Sequence, residues 1–142
     1  VSFIRRLLDL KDPDIRHAYP SVNLFYANNA EEADELIHAC QEDGYTFINF
    51  TKSSYKDGSF DRYIGDFNTH VVIGQEFDKV LMILDKTFMY DESGLLRARV
   101  HPNPNYLYRR LLFQGLTRVR EKLALVIIDN PTLFDHILSL FQ

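Results

Sequence analysis

The stretch Lys79–Asp85, KVLMILD, decides the fold class of this chain. Its residues between the two charged ends are continuously apolar, so neither face of an extended strand here would meet water. A second run of the same kind, Lys122–Asp129 with the sequence KLALVIID, follows further along the chain. Apolar runs without alternation are typical of buried strands in a parallel sheet that helices cover on both faces.

Helical and strand patterns alternate along the rest of the 142 residues. Besides the two apolar runs, we expect strands at Val22–Ala27, Tyr45–Thr51 and Thr69–Gly74, and helices at Ser2–Leu10, Asn28–Gly44, Asn105–Val119 and from Pro131 onward. A polar loop is expected from Lys52 to Asn68, and a small hairpin around Ser93 and Gly94. This alternation predicts a single α/β domain of three layers with a mainly parallel sheet.

Composition excludes some broad classes of protein. The net charge of −4 argues against a strong nonspecific nucleic-acid binder, although it leaves room for a short basic groove. A single cysteine, Cys40, excludes an internal disulfide and fits a reducing cytoplasm. No apolar run approaches the roughly 20 residues of a membrane span, so no membrane partner is expected. The chain begins at Val1 rather than Met, which suggests a piece of a longer protein.

Several well-known catalytic motifs are missing from the sequence. Neither the phosphate-binding pattern GxxxxGK[ST] nor the dinucleotide-binding pattern GxGxxG occurs, and there is no GxSxG nucleophile turn. The histidines are scattered, and His38 and Cys40, two positions apart, do not share a helix face. We therefore expect no metal site and no self-contained catalytic centre.

Two stretches place polar groups where they could serve a ligand. Gly74, Gln75 and Glu76 lie between two expected strands, either as a plain turn or as a polar site at the end of a parallel strand. Further on, the helix expected at Asn105–Val119 carries four polar side chains on a side away from its apolar stripe: Arg110, Gln114, Thr117 and Arg118. These side chains form either a solvated helix face or the wall of a cleft, and the residue types alone leave both open.

Taken together, HVVIGQEFDKV (His70–Val80) and LLFQGLTRVREKL (Leu111–Leu123) resemble motifs V and VI of superfamily 1 helicases of the UvrD/Rep type. The amino-acid sequences of these two stretches are similar above all to those of the bacterial DUF2075 ATP-binding, helicase-like proteins. The matching residues are His70, Gly74, Glu76, Phe77, Asp78, Leu116, Thr117, Arg118, Arg120, Glu121 and Leu123. The resemblance implies that residues 1–142 form the second, C-terminal RecA-like (P-loop NTPase-like) domain of such a protein. The Walker motifs would then belong to a missing N-terminal RecA-like domain.

The resemblance also implies an ATP site, with Mg²⁺, that the two domains share. Phosphoryl transfer builds charge on the γ-phosphate, and a guanidinium placed there stabilises the transition state. Arg118 is the catalytic arginine finger that the resemblance implies. The nucleotide-binding residues implied are Gly74, Gln75, Glu76, Arg110, Gln114, Thr117 and Arg118. This chain alone should neither hydrolyse ATP nor bind it tightly.

Single-stranded DNA or RNA is a further partner that the resemblance implies. Thr51 and Lys52, with Thr69 and His70, would contact it from the ends of two strands. The helicases usually carry a lysine just before the motif V glycine, and Ile73 stands there in this chain. Two functions therefore remain open: the motor domain of an ATP-hydrolysing helicase or translocase, and a nucleotide-sensing regulatory ATP-binding protein without unwinding activity. An unrelated flavodoxin-like domain is the third alternative.

Overall fold

A computed structural model describes residues 2–11, 21–49, 65–68, 76–98 and 112–141. The helices are α1 (Ser2–Leu8), α2 (Ala30–Glu42), α3 (112–116) and α4 (Pro131–Leu138), and a 3₁₀ turn at Ser139–Phe141 follows α4. The strands are β1 (Val22–Ala27), β2 (Thr46–Asn49), β3 (Phe67–Asn68), β4 (Phe77–Leu84), β5 (Phe88–Tyr90), β6 (Leu96–Ala98) and β7 (Val119–Ile128). Within the described ranges, no helix is both long enough and apolar enough to cross a bilayer.

The main sheet has the strand order β1-β7-β4-β2-β3, and each neighbouring pair in it is parallel. Over the residues that the structure describes, its outermost strand, β3, spans Phe67–Asn68. β5 and β6 form a separate antiparallel hairpin between β4 and β7 in the chain, with Gly94 in its turn at a φ of 87°. The expected α/β fold with a mainly parallel sheet is confirmed, and so is the hairpin.

The two apolar runs that predicted the sheet lie at its centre. They pair with each other from Val80 opposite Leu123 to Leu84 opposite Ile127. Residues 80–84 have no exposed surface, and residues 123–128 are all buried. Full burial of one such aliphatic side chain contributes about 1.5–3 kcal/mol, so this strand pair dominates the hydrophobic core.

Helix α2 (Ala30–Glu42) lies within the expected range Asn28–Gly44, and residues near both ends of that range cap it. The Asn29 side chain accepts a hydrogen bond from the Glu32 backbone N–H at 2.9 Å, which satisfies one of the free donors of the first turn. Gly44 follows the helix with a φ of 92°, a left-handed conformation that suits a residue without Cβ. The helix buries Ala33, Ile37 and Cys40 and contacts β1, β7 and β2.

Two of the expected boundaries are wrong. The helix expected to run to Val119 ends at residue 116, and Val119 already pairs with Phe77 as the first residue of β7. The polar loop expected through Asn68 contains β3, in which Phe67 pairs with Ile48. In both places a partner strand distant in sequence supplies the hydrogen bonds, and local sequence does not reveal that partner.

Candidate functional site

The amino ends of β4 and β7 project beyond their neighbours in the sheet. β1 first pairs with β7 at Leu123, and β2 first pairs with β4 at Val80. Residues 77–79 and 119–122 therefore form a parallel two-stranded extension, here called the amino-terminal ribbon. At about 3.3 Å per residue, it reaches about 10 Å beyond the flanking strands.

The ribbon brings together the two motif-like stretches. The Phe77 backbone N–H donates to the Arg118 carbonyl at 2.8 Å, and Phe77 pairs with Val119. Glu76 and Arg118 are therefore the residues that immediately precede two paired strand ends. Between Phe77 and Lys79 the register shifts by one residue, because Lys79 pairs with Lys122. Such a bulge increases local twist and commonly changes the direction of side chains next to functional sites.

Arg118 itself lies in a tight turn between α3 and β7, and not within a helix as expected. Its side chain is half-buried, and its Nη2 donates to the Thr117 hydroxyl oxygen at 3.3 Å. The Thr117 hydroxyl in turn donates to the Gln114 carbonyl at 3.0 Å. The Nε of Arg118 is buried and finds no hydrogen-bond acceptor among the described residues. A buried donor without an acceptor is unfavourable, and such groups often mark functional sites.

Other charges surround the ribbon but engage Arg118 in no ion pair within the described ranges. Glu76 and Asp78 are exposed, as is Arg120. Arg120 contacts Asp78 across the ribbon with an Nε–Oδ1 distance of 3.8 Å. Both of these side chains are more than half exposed, so water screens their attraction and its contribution to stability is small. Arg120 belongs to β7 and lies beyond the end of α3.

α3 carries the apolar stripe that the sequence predicts over its described part. Leu112 and Leu116 have no exposed surface, whereas Phe113 is 48% exposed and Gln114 is half-exposed. The structure thus places Gln114, Thr117 and Arg118 together, and Glu76 directly precedes the neighbouring strand β4. The remaining predicted site residues lie outside the described ranges: Thr51, Lys52, Thr69, His70, Gly74, Gln75 and Arg110.

Buried polar residues at the opposite, carboxyl edge of the sheet were not anticipated from the sequence. Asn130 follows β7 and is 8% exposed, and Asp85 follows β4 with the same exposure. The Asn130 amide donates to the carbonyls of Asp85 and Phe88 at 3.1 and 2.9 Å, and its side-chain oxygen accepts from Leu133 N–H at 3.2 Å. The Asn-Pro pair at the start of α4 is a sequence signal for a helix cap. The hydrogen bonds from Asn130 to Asp85 and Phe88, however, depend on the fold.

A pocket of about 170 Å³ lies between the hairpin and α4. It is lined by Met89, Tyr90, Asn130, Thr132, Leu133 and His136. The Tyr90 hydroxyl donates to the Leu7 carbonyl, and burial raises the pKa of this phenol far above its usual range. The polar groups of Tyr90 and Asn130 are therefore engaged in hydrogen bonds within the fold. In the part of the chain that the structure describes, no group of three or more His, Cys, Asp or Glu side chains could hold a metal ion.

Comparison of the chain with protein-family models, curated proteins and solved structures gives no match. The contacts at the amino-terminal ribbon are therefore the basis for a functional proposal.

Proposed function

We propose that this chain is the second RecA-like motor domain of an ATP-dependent superfamily 1 helicase or translocase. Arg118 acts as an arginine finger on an ATP-Mg²⁺ site that an N-terminal RecA-like domain completes. Glu76 contacts the nucleotide from the neighbouring strand. The hydrogen bond between Phe77 N–H and the Arg118 carbonyl carries this proposal, because it joins two stretches that are distant in sequence at one edge of the sheet.

The chemistry of Arg118 supports the same role. An arginine finger must present its guanidinium at a domain surface, yet keep a defined position before ATP arrives. Arg118 lies at the tip of a projecting ribbon and is half-buried. It contacts a neutral hydroxyl and forms no ion pair with a described carboxylate, so its positive charge is available to a phosphate.

Two contacts of β1 support a three-layer, RecA-like arrangement. Asn23 donates to the hydroxyl of Tyr45, which follows α2, at 3.1 Å. Tyr26 packs edge-on against Phe134 of α4, with ring centroids 5.2 Å apart. Positions 23 and 26 differ by an odd number, so their side chains point to opposite faces of the strand. Such an arrangement agrees with helices that cover both faces of the sheet.

Steady-state ATP hydrolysis by the full-length protein tests the proposal. Replacement of Arg118 by alanine should lower kcat by roughly 10³-fold, as for arginine fingers in general, and should change the KM for ATP much less. Arg118→Lys should restore little activity, because an ammonium group cannot reproduce the planar fork of a guanidinium on phosphate oxygens.

Arg120→Ala is the matched control, since Arg120 is an exposed arginine on the same ribbon whose carboxylate partner is Asp78. Its kcat should stay near the wild-type value. Wild-type turnover in Arg118→Ala, or equal losses in the two alanine variants, would refute the proposed role of Arg118.

The second candidate function is a nucleotide-sensing regulatory protein that does not unwind nucleic acid. Ile73, at the place where the helicases carry a lysine, and the net charge of −4 favour it. The dependence of ATPase activity on single-stranded DNA or RNA separates the two functions. The ATPase activity of a motor should be stimulated strongly by single-stranded DNA or RNA. A regulatory ATP-binding protein should hydrolyse ATP at the same rate with and without these nucleic acids.

A further inference from the structure

The main chain of Arg118 is held at both of its polar groups. Its N–H donates to the Gly115 carbonyl at 3.1 Å, and its carbonyl accepts from Phe77 N–H at 2.8 Å. The first bond tightens the end of α3 in the manner of a 3₁₀ turn, and the second anchors the start of β7 to β4. These two bonds therefore fix the backbone position of Arg118, but they do not fix the orientation of its long side chain.

Thr117 contacts the Arg118 side chain through its hydroxyl group. Its own N–H donates to the Phe113 carbonyl at 3.1 Å, which places its side chain on the last turn of α3. Its hydroxyl proton is used in the hydrogen bond to the Gln114 carbonyl at 3.0 Å. Since a hydroxyl has one proton and two lone pairs, Oγ1 is left as an acceptor, and Arg118 Nη2 donates to it at 3.3 Å.

We infer that Thr117 is a positioning residue, whose hydroxyl orients the Arg118 guanidinium for ATP hydrolysis. The inference rests on the proposed function of Arg118, and it gives Thr117 a role different from the nucleotide ligand that the resemblance implies. Three features make threonine suitable: a hydroxyl that bonds a carbonyl three residues earlier, a β-branched side chain with few rotamers, and a place next to the arginine.

Two substitutions separate the hydroxyl from the shape of the side chain. Valine keeps the branched shape of Thr117 but cannot accept from Arg118 or donate to Gln114. Serine keeps both hydrogen bonds and loses only a methyl group. A positioning role therefore predicts that serine preserves function and valine does not, whereas a role in packing predicts the reverse.

ATP hydrolysis by the full-length protein provides the first test. Thr117→Val should lower kcat by about 10- to 100-fold, the range expected when one hydrogen bond is lost and a catalytic group is misplaced. The KM for ATP should change little, and Thr117→Ser should stay within a few-fold of wild type. Thr132→Val is the matched control, because Thr132 is an exposed threonine on α4 and is remote in the fold from the ribbon.

The double variant Thr117→Val/Arg118→Ala shows whether Thr117 acts through Arg118. If it does, the double variant should be no slower than Arg118→Ala alone, because the group that Thr117 orients is already gone. A further loss equal to that of the single Thr117→Val variant would overturn the inference. So would wild-type kcat in Thr117→Val, or equal damage from serine and valine.

NMR relaxation of the Arg118 Nε–H group in the 142-residue chain provides a second test that does not depend on ATP hydrolysis. The group should be rigid in the wild type and in Thr117→Ser, and mobile like an exposed arginine in Thr117→Val. Unchanged relaxation in Thr117→Val would overturn the positioning role even if Arg118 proves essential. If the Arg118 Nε–H group becomes mobile in Thr117→Val but Arg118→Ala keeps wild-type kcat, only the proposed function is refuted.

Discussion

Asn130 connects three elements at the carboxyl edge of the sheet through one buried side chain. Its Oδ1 caps α4 by accepting from Leu133 N–H, and its Nδ2 donates to the carbonyls of Asp85 and Phe88. Only 8% of the residue is exposed, so water cannot readily replace these bonds. The substitution Asn130→Ala removes all three at once and should destabilise the protein strongly.

The size of the effect follows from the three contacts of Asn130. Loss of a helix N-cap costs about 1 kcal/mol, and loss of each of the two buried hydrogen bonds from the Asn130 amide costs about 1 kcal/mol. We therefore expect the free energy of unfolding to fall by about 3 kcal/mol. For a domain of this size, such a loss lowers Tm by roughly 10 °C.

Asn29 offers a matched comparison, because it caps α2 in the same way with an Oδ1 contact to Glu32 N–H at 2.9 Å but is exposed. Asn29→Ala should cost only about 1 kcal/mol, the value of the cap itself. Guanidinium-induced unfolding followed by circular dichroism measures both variants. If Asn130→Ala is no more destabilising than Asn29→Ala, then the two buried bonds contribute nothing and the reasoning is wrong.

Two further predictions concern titratable groups. Hydrogen bonds from Arg97, above all, and from the Leu95 backbone hold the pKa of Asp91 below its ordinary value of 3.8. The pKa of Asp91 is thus lower in the folded than in the unfolded protein, and the ionised carboxylate stabilises the fold. This stabilisation is present above pH 3.8 and is lost as the pH falls through the folded-state pKa. A series of thermal melts at falling pH should show less acid sensitivity in Asp91→Asn than in the wild type, and identical pH profiles would contradict the assignment. Burial, followed by the charge of Asp43, raises the pKa of the Cys40 thiol above 9.0. A disulfide reagent should therefore modify the native protein slowly at neutral pH and the denatured protein quickly. Equal rates would show that Cys40 is accessible.

Much of the fold follows from patterns that are local in the sequence. The apolar runs at residues 79–85 and 122–129 predict buried strands, since extended backbone turns successive side chains to opposite faces and both faces must then avoid water. The first turn and the end of α2 are marked by Asn29 and Gly44, because each satisfies the backbone within a few residues of itself. Such features require no knowledge of the rest of the chain.

The functional edge was only partly predictable. Residue types and a family resemblance select Glu76 and Arg118, but nothing local places them side by side. Val119 follows a helical pattern and still begins a strand, because β7 pairs with β4 from Phe77 onward. The acceptor role of Thr117 likewise depends on where α3 ends.

Asn130 shows the same division between sequence and structure. Its capping role follows from the Pro131 next to it, whereas its bonds to Asp85 and Phe88 exist only because β7 packs beside β4. The tertiary structure alone decides these two contacts, since each joins the Asn130 side chain to a backbone carbonyl far away in sequence, and strand order and register bring the two together.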